Sequence, residues 1–251
     1  MDKHPRDRFL TVVGRKPVLE ALEQRNLTFG ELLIDRRLKK DTVRDILEAA
    51  RKVQVKPTFC DIKKVHRRSR TPKQDQGVAL DIETPNVAQL TDWTRLDKDG
   101  VVFIPDGVTT PSNVGMMIRS LAAAGLSALV LPERNTPRLG PLMIKASAGT
   151  AFHCEILKAS DTVSALKILK ASGWHICALD ARGTSQLFTM KIPARTVWVF
   201  GNETQGVSTE AAEHVDEWVN IPMTADVESL NVAMSATVVA FENVRRHVTK
   251  Q

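Results

Sequence analysis

The chain has no tyrosine and only three cysteines among its 251 residues. Cys60, Cys154 and Cys177 are an odd number with no close pair, which argues against a disulfide framework and for a reducing compartment; the cytoplasm is the expectation. No C-x-x-C, H-E-x-x-H or clustered carboxylate pair occurs, so no metal is expected. The six histidines, His4, His66, His153, His175, His214 and His247, are scattered and read as structural or exposed. No apolar run reaches the length of a membrane span. The opening "MDKHPRDRFL" lacks the apolar centre of a signal peptide. Neither a G-x-G-x-x-G fingerprint nor a Walker A loop is present, which leaves a Rossmann dinucleotide site unsupported. A G-x-S-x-G nucleophile elbow is missing too.

What is present suits one large or two modest folded domains: 43% hydrophobic and 25% charged residues. The net charge of +6 is unevenly placed. Residues 1–95 hold 21 Lys and Arg against 14 Asp and Glu, a net +7, and residues 96–251 hold 14 against 15, a net −1. Such asymmetry points to a polyanionic partner. The densest patch is "KKVHRRSRTPK", Lys63 to Lys73, with six Lys or Arg in eleven residues. It reads either as a phosphate-contacting surface or as a solvated loop.

The first part alternates short helices and strands. "RKPVLEALEQR" has apolar residues at helical spacing, and Pro17 suits a first turn. "DTVRDILEAARK" is amphipathic, with Asp41 placed to cap it. "ELLID", "KPTFC" and "GVALDIE" read as strands. The polar stretch Thr84 to Gly100 reads as a joint between domains, with residues 85–98 as the linker. The expected domains are 1–84 and 99–251.

The second part alternates more regularly. Strands "GVVFIP", "ALVLP", "FHCEIL", "WHICALD", "TVWVFG" and "WVNIP" are separated by helical stretches, among them "NVGMMIRSLAAAG", "LGPLMIKASAG" and "DTVSALKILKASG". Asp161 is the expected cap and Gly173 the expected stop of the last. A long apolar helix, "LNVAMSATVVAFENVRRHV", closes the chain. This pattern predicts an α/β fold with a mostly parallel sheet covered on both faces. In such sheets ligands sit beyond the carboxyl ends of strands.

Three loops at those ends share a polar, glycine-containing character. "PDGVTTPSNVGMMIRS" places Asn113 at a helix start and sets Arg119 among apolar neighbours. "FGNETQGVS", residues 200–208, brackets Asn202, Glu203, Thr204 and Gln205 between Gly201 and Gly206. "NIPMTADVESLNVAMSA" sets Ser229 and Asn231 where the last helix begins. Taken singly, Arg119 reads as a snorkelling or ion-paired side chain, and Glu203, Ser229 and Asn231 as ordinary caps.

Together the three loops resemble the three motifs of the SpoU/TrmH-type RNA ribose 2′-O-methyltransferases of the SPOUT superfamily. Asn113, Gly115 and Arg119 match the first motif. Gly201, Asn202, Glu203 and Gly206 match the second. Ile221, Pro222, Met223, Glu228, Ser229, Leu230 and Asn231 match the third. "KASAGTAFHCEIL" between them is similar to the family as well. Gly14, "KPVLEALEQ" and "QGVAL" make the first part resemble a ribosomal-protein-like substrate-binding domain. The chain departs from the family where Asp75, Thr110 and Met116 stand for a frequent His, Asp and Ala.

The resemblance implies a C-terminal trefoil knot, S-adenosylmethionine as methyl donor without a metal, a structured RNA substrate (23S ribosomal RNA first, transfer RNA next), and a homodimer through the catalytic domain. It implies that Gly201, Asn202, Ile221, Met223 and Leu230 hold the donor, and that Arg119, Asn113, Glu203, Ser229 and Asn231 serve catalysis. A non-catalytic RNA-binding protein on the same fold is the rival reading. A metabolite enzyme is less favoured, because the dinucleotide fingerprint is missing and the basic first part would go unexplained.

Overall fold

The computed structural model describes residues 9–23, 27–83, 87–93, 95–152, 154–224 and 229–248. The chain forms two compact units: Met1–Asn86 with Leu139–Phe152, and Val87–Arg138 with His153–Gln251.

The first unit is a four-stranded sheet with helices. β1 (Phe9–Val13), β2 (Phe29–Asp35), β3 (Pro57–Cys60) and β4 (Val78–Glu83) lie in the order β1-β4-β2-β3. β4 pairs antiparallel with both β1 and β2, and β2 pairs parallel with β3. Between them run α1 (Arg15–Leu22), α2 (Lys40–Lys52) and α3 (Ile62–Ser69). α2 buries Val43, Ile46, Ala49 and Ala50, one stripe at helical spacing. With Val18, Leu22, Leu32, Ile34 and Leu80 they make the core, which Ile144 joins from the short helix Pro141–Ala146.

Two sequence expectations need correction here. Asp41 is not the cap of α2; Lys39 is, without a side-chain hydrogen bond, and Asp41 lies inside the first turn, where its charge still suits the helix dipole. The solvated-loop alternative for the basic patch also fails over most of its length, because residues 62–69 are helical. Asp61 caps α3 by accepting a 2.9 Å bond from the Lys63 amide, and Arg70 ends it at φ 55°. Only Val65 and Ser69 of α3 are buried, so charge hides the apolar spacing. The exposed basic groups are not equivalent. Arg68 donates from Nε to Asp81 at 2.9 Å, and Lys64 pairs with Glu31 at 2.7 Å. Lys63, Arg67, Arg70 and Lys73 stand exposed. Asp75, 1% exposed, accepts from Ser69 Oγ at 2.7 Å and from the Gly77 amide at 3.0 Å, and lies 2.8 Å from His66 Nδ1. It ties the end of α3 to the Gln76–Gly77 turn.

The second unit is an eight-stranded sheet in which every pairing is parallel. Its strands are β5 (Ala88–Gln89), β6 (Gly100–Pro105), β7 (Ala128–Pro132), β8 (Glu155–Ala159), β9 (His175–Leu179), β10 (Ser185–Gln186), β11 (Arg195–Phe200) and β12 (Glu217–Asn220). The order is β10-β12-β9-β11-β6-β7-β8-β5. Runs such as Val101–Pro105 and Val197–Phe200 are buried throughout, as strands covered on both faces must be. α4 (Pro111–Ala123) follows β6, and α6 (Val232–Val248), which packs on α4, closes the described chain. α5 (Thr162–Ala171) is capped by Asp161, which accepts from the Ser164 amide at 2.7 Å, and Gly173 at φ 79° follows its end. The stretch expected to be a joint carries β5, which pairs with Leu157 and Lys158, and buries Leu90 and Trp93 in the core of this unit.

The order β12-β9-β11-β6 has a functional consequence. Phe200 pairs with Pro105, Val199 with Ala178, and Val219 with Leu179, so four carboxyl ends emerge side by side.

Candidate active site

The loop after β11 folds back as a tight hairpin. Asn202 and Gly206 exchange backbone bonds of 2.9 and 2.8 Å, and Asn202 Oδ1 accepts from the Thr204 and Gln205 amides. Gly206 stands at φ 73°. Gly201 is required by this closure: a Cβ there would lie 2.2 Å from the Gly206 carbonyl carbon and 2.3 Å from the Val207 nitrogen. The glycine is thus demanded by the chain itself, before any ligand is considered.

Three ties fasten the hairpin to the connection between β6 and α4. Asn202 Nδ2 donates to Gly107 O at 2.9 Å. Asp106, 6% exposed, accepts from the Ser208 amide and from Thr162 Oγ1, both at 2.7 Å. Asn113 Nδ2 donates to Glu203 Oε1. The third loop joins through Asn231, whose Nδ2 donates to Asn113 Oδ1 at 3.4 Å while its Oδ1 caps α6 by accepting from the Ala233 amide at 2.9 Å. Asn231 is thus both a cap and a member of the cluster. Glu203, Asn113 and Asn231 form one polar chain drawn from three separate loops.

Beside it lies a cavity of about 240 Å³. Its walls include Phe200, Gly201, Asn202, Glu203, Ile221, Met223, Ser229 and Leu230. All five expected donor-holding residues and two of the five expected catalytic residues therefore line one space. Asn113 and Asn231 reach it through Glu203. Glu228 lies outside the described residues. Arg119 does not line the cavity; it is exposed on α4. A larger groove, about 1250 Å³, opens where β6 begins, among Arg95, Phe188, Lys191 and Arg245. No described residue of the three loops enters it, so the smaller cavity, at the carboxyl ends, is the candidate site.

Sequence reading missed two contributors. Leu179, the last residue of β9, and Asp180 and Ala181 just beyond it form part of the cavity wall. The Arg182 amide, 2.7 Å from Asp180 Oδ1, holds that carboxyl below its ordinary range against the opposing effect of burial. The carboxylate therefore stays ionised at neutral pH. Asp106 was the other; an acid directly after a buried strand was the available signal.

A profile of the SpoU rRNA methylase family matches residues 100–241, and one for RNA 2′-O ribose methyltransferase substrate binding matches residues 11–88. The chain belongs to the SpoU family. Among curated SpoU/TrmH relatives, the 23S rRNA (guanosine-2′-O-)-methyltransferase RlmB of Neisseria meningitidis is 29% identical over 240 residues, covering 95% of this chain and 96% of that protein. A putative TrmH family tRNA/rRNA methyltransferase of Staphylococcus saprophyticus is 28% identical over 241 residues, 94% and 96% of the two chains. In three dimensions the chain matches the SpoU methyltransferase AviRb of Streptomyces viridochromogenes, solved in complex with AdoMet. The TM-score is 0.80 at 25% identity, over 97% of this chain and 92% of that one. The expected α/β fold and family membership are borne out.

Proposed function

We propose that this chain transfers a methyl group from S-adenosylmethionine to the 2′-hydroxyl of a ribose in structured RNA, with 23S ribosomal RNA as the first substrate to test and transfer RNA the second. The observation that carries this reading is the single cavity made jointly by the second and third loops and tied to the first through Asn113. Its wall suits the donor: Ile221, Leu230 and Phe200 offer apolar surface to an adenine, and Glu203 and Asp180 offer negative charge to a cationic ligand. When bound, the donor supplies an electrophilic methyl carbon. No metal is needed for that chemistry.

The protein's own work is placement and charge. Positioning two reactants in line contributes up to about 7–11 kcal/mol. The oxygen that loses its proton must also be stabilised. Arg119 is assigned to that oxygen or to the adjacent phosphate, because a guanidinium stays protonated and serves as an electrostatic clamp rather than a base. Asn113, Glu203, Asn231 and Ser229 shape the floor on which the ribose lies.

Arg119 needs a second copy of the chain in this reading. On α4, Ser112, Met116, Arg119 and Ala123 form one exposed stripe; on the neighbouring α6, Met234 and Phe241 are exposed. Met234 is 61% and Phe241 49% exposed, more than single surface apolars require. A homodimer through this face covers them and brings Arg119 under a neighbouring subunit. The trefoil knot belongs to the same proposal, as the threading that holds Ile221, Met223, Ser229 and Leu230 against the 201–206 hairpin. In the first unit, Lys63, Arg67, Arg70 and Lys73 are assigned to RNA phosphates.

The test is methyl transfer from labelled S-adenosylmethionine to ribosomal RNA, with 2′-O-methyl mapping of the product. Arg119→Ala is expected to keep donor binding and lose transfer; Arg119→Lys, which keeps charge without the planar fork, is expected to recover only part. Undiminished transfer by Arg119→Ala removes this arginine from the mechanism. A chain that binds RNA but no donor would instead be the RNA-binding protein.

A further inference from the structure

Away from the cavity, β9 and β12 carry a second cluster on one face of the sheet. His175 and Cys177 are two residues apart on β9, so both point the same way. Glu217 is the β12 partner of Cys177 in the parallel register. One ligand-type atom from each of the three, an imidazole nitrogen, the thiol sulfur and a carboxylate oxygen, lies within 4.8 Å of the others. No sequence motif announces this set, because the third member comes from a strand forty residues on.

We propose that His175, Cys177 and Glu217 form a structural site for a borderline divalent ion, zinc in the first place. The donor set decides the metal. One imidazole nitrogen, one thiolate and one carboxylate suit zinc and discriminate against calcium and magnesium, which take oxygen ligands. Three protein ligands leave one position for water, and His175 and Glu217 are half-buried at the rim while Cys177 is fully buried beneath them.

One outer group already orients a ligand, and a second carboxylate stands nearby. Ser185 Oγ donates to Glu217 Oε1 at 2.6 Å and leaves Oε2, 3.2 Å from His175 Nε2, for the ion. Asp216 Oδ2, which accepts from the Ile176 amide at 2.9 Å, lies 3.9 Å from the other ring nitrogen, Nδ1; this is an ion-pair distance and not a hydrogen bond. Burial, with Glu217 and Asp216 adding to it, pushes the Cys177 thiol up to about 12. The metal takes Cys177 as the thiolate, and its proton goes to solvent.

The site is a clip rather than a catalytic centre. Leu179, which lines the cavity, lies two residues beyond Cys177 and four beyond His175, about 7 and 13 Å along the strand. β12 is only four residues long, and it leads directly into the cavity segment at Ile221. An ion shared by β9 and β12 fixes the point from which that segment leaves the sheet.

The experiment is a cobalt titration of the full-length, chelator-stripped protein, read by visible and near-ultraviolet absorption. The expected result is one equivalent bound with a thiolate-to-cobalt charge-transfer band, displaced by zinc. Cys177→Ala is expected to abolish the band, and Cys60→Ala and Cys154→Ala to keep it. Ser185→Ala is expected to weaken zinc binding about tenfold. No band in the wild-type protein overturns the proposal, as does a band that survives Cys177→Ala. If Cys177→Ala does not fold, Glu217→Gln replaces it: with the circular dichroism of the wild type, it must bind cobalt about tenfold more weakly, and equal affinity overturns the site. These outcomes are independent of methyl transfer.

Discussion

Gly201→Ala is the sharpest single perturbation of the candidate active site. The added methyl would meet the Gly206 carbonyl carbon at 2.2 Å, the Val207 nitrogen at 2.3 Å and the Gly206 oxygen at 2.5 Å. All three are backbone atoms, so no side-chain rotation relieves the clash. The 202–206 hairpin must open, and the two bonds between Asn202 and Gly206 go with it. At a net value of about 0.5–1.5 kcal/mol each, the loss is about 1–3 kcal/mol. If that energy is taken from the closed hairpin proposed to hold the donor, S-adenosylmethionine affinity falls about 5- to 150-fold. If it also reaches global unfolding, the melting temperature drops by about 2–12 °C. Calorimetric titration with the donor and a thermal melt of the same sample separate the two. Unchanged affinity together with an unchanged melt would refute the reasoning, because the chain would have found room where the backbone leaves none.

Charge reversal on α3 and its C-cap, with Lys63→Glu, Arg67→Glu and Arg70→Glu together, is expected to weaken RNA binding and flatten its salt dependence while donor affinity holds; filter binding across a salt series checks this. Arg68→Ala should instead lower stability, since that guanidinium is committed to Asp81. Glu242 supplies a pH prediction. The Arg245 hydrogen bond, helped by Arg246 and opposed by burial, holds its carboxyl below the ordinary range. A depressed folded value contributes stability that is present above the unfolded carboxyl's range and is lost as pH falls through the folded value. Glu242→Gln should cost about 1.5–3 kcal/mol at neutral pH and make the melting temperature less sensitive to acid, as melts across the acid range would reveal.

Most of the second unit was legible in the sequence because parallel strands covered on both faces are continuous apolar runs, and β6, β7 and β11 read that way. β10 and β5, two residues each, leave no periodic trace, and β5 sits in a stretch whose polarity suggested a joint. β1 is short and half-buried at its start, and it was not among the expected strands. α3 escaped because four of its eight residues are Lys or Arg, and its burial rests on Val65 and Ser69. The cavity residues were legible for another reason: Gly201, Ile221 and Leu230 resemble known motifs in order. What the resemblance could not convey is the bonding among them. That Asn231 caps a helix while reaching Asn113, or that Asp106 holds the hairpin by the Ser208 amide, requires contacts across about 100 residues. Arg119 makes the same point in reverse, since its place in a motif says nothing about which cavity it serves.

Residues 139–152 interrupt the second unit and return to the first, where Ile144 is 1% exposed among the side chains of α1, α2 and the sheet. A single cut near residue 95 would therefore strip Leu139, Ile144 and Phe152 of their neighbours and leave a stump with fresh greasy surface. Lower RNA affinity in such a fragment does not by itself report a lost RNA contact, because the exposed apolar surface promotes aggregation. Chimaeras between relatives face the same arithmetic: a foreign first unit must arrive with its own version of the excursion, or the graft will be mismatched at a helix that no linear map of the gene assigns to it.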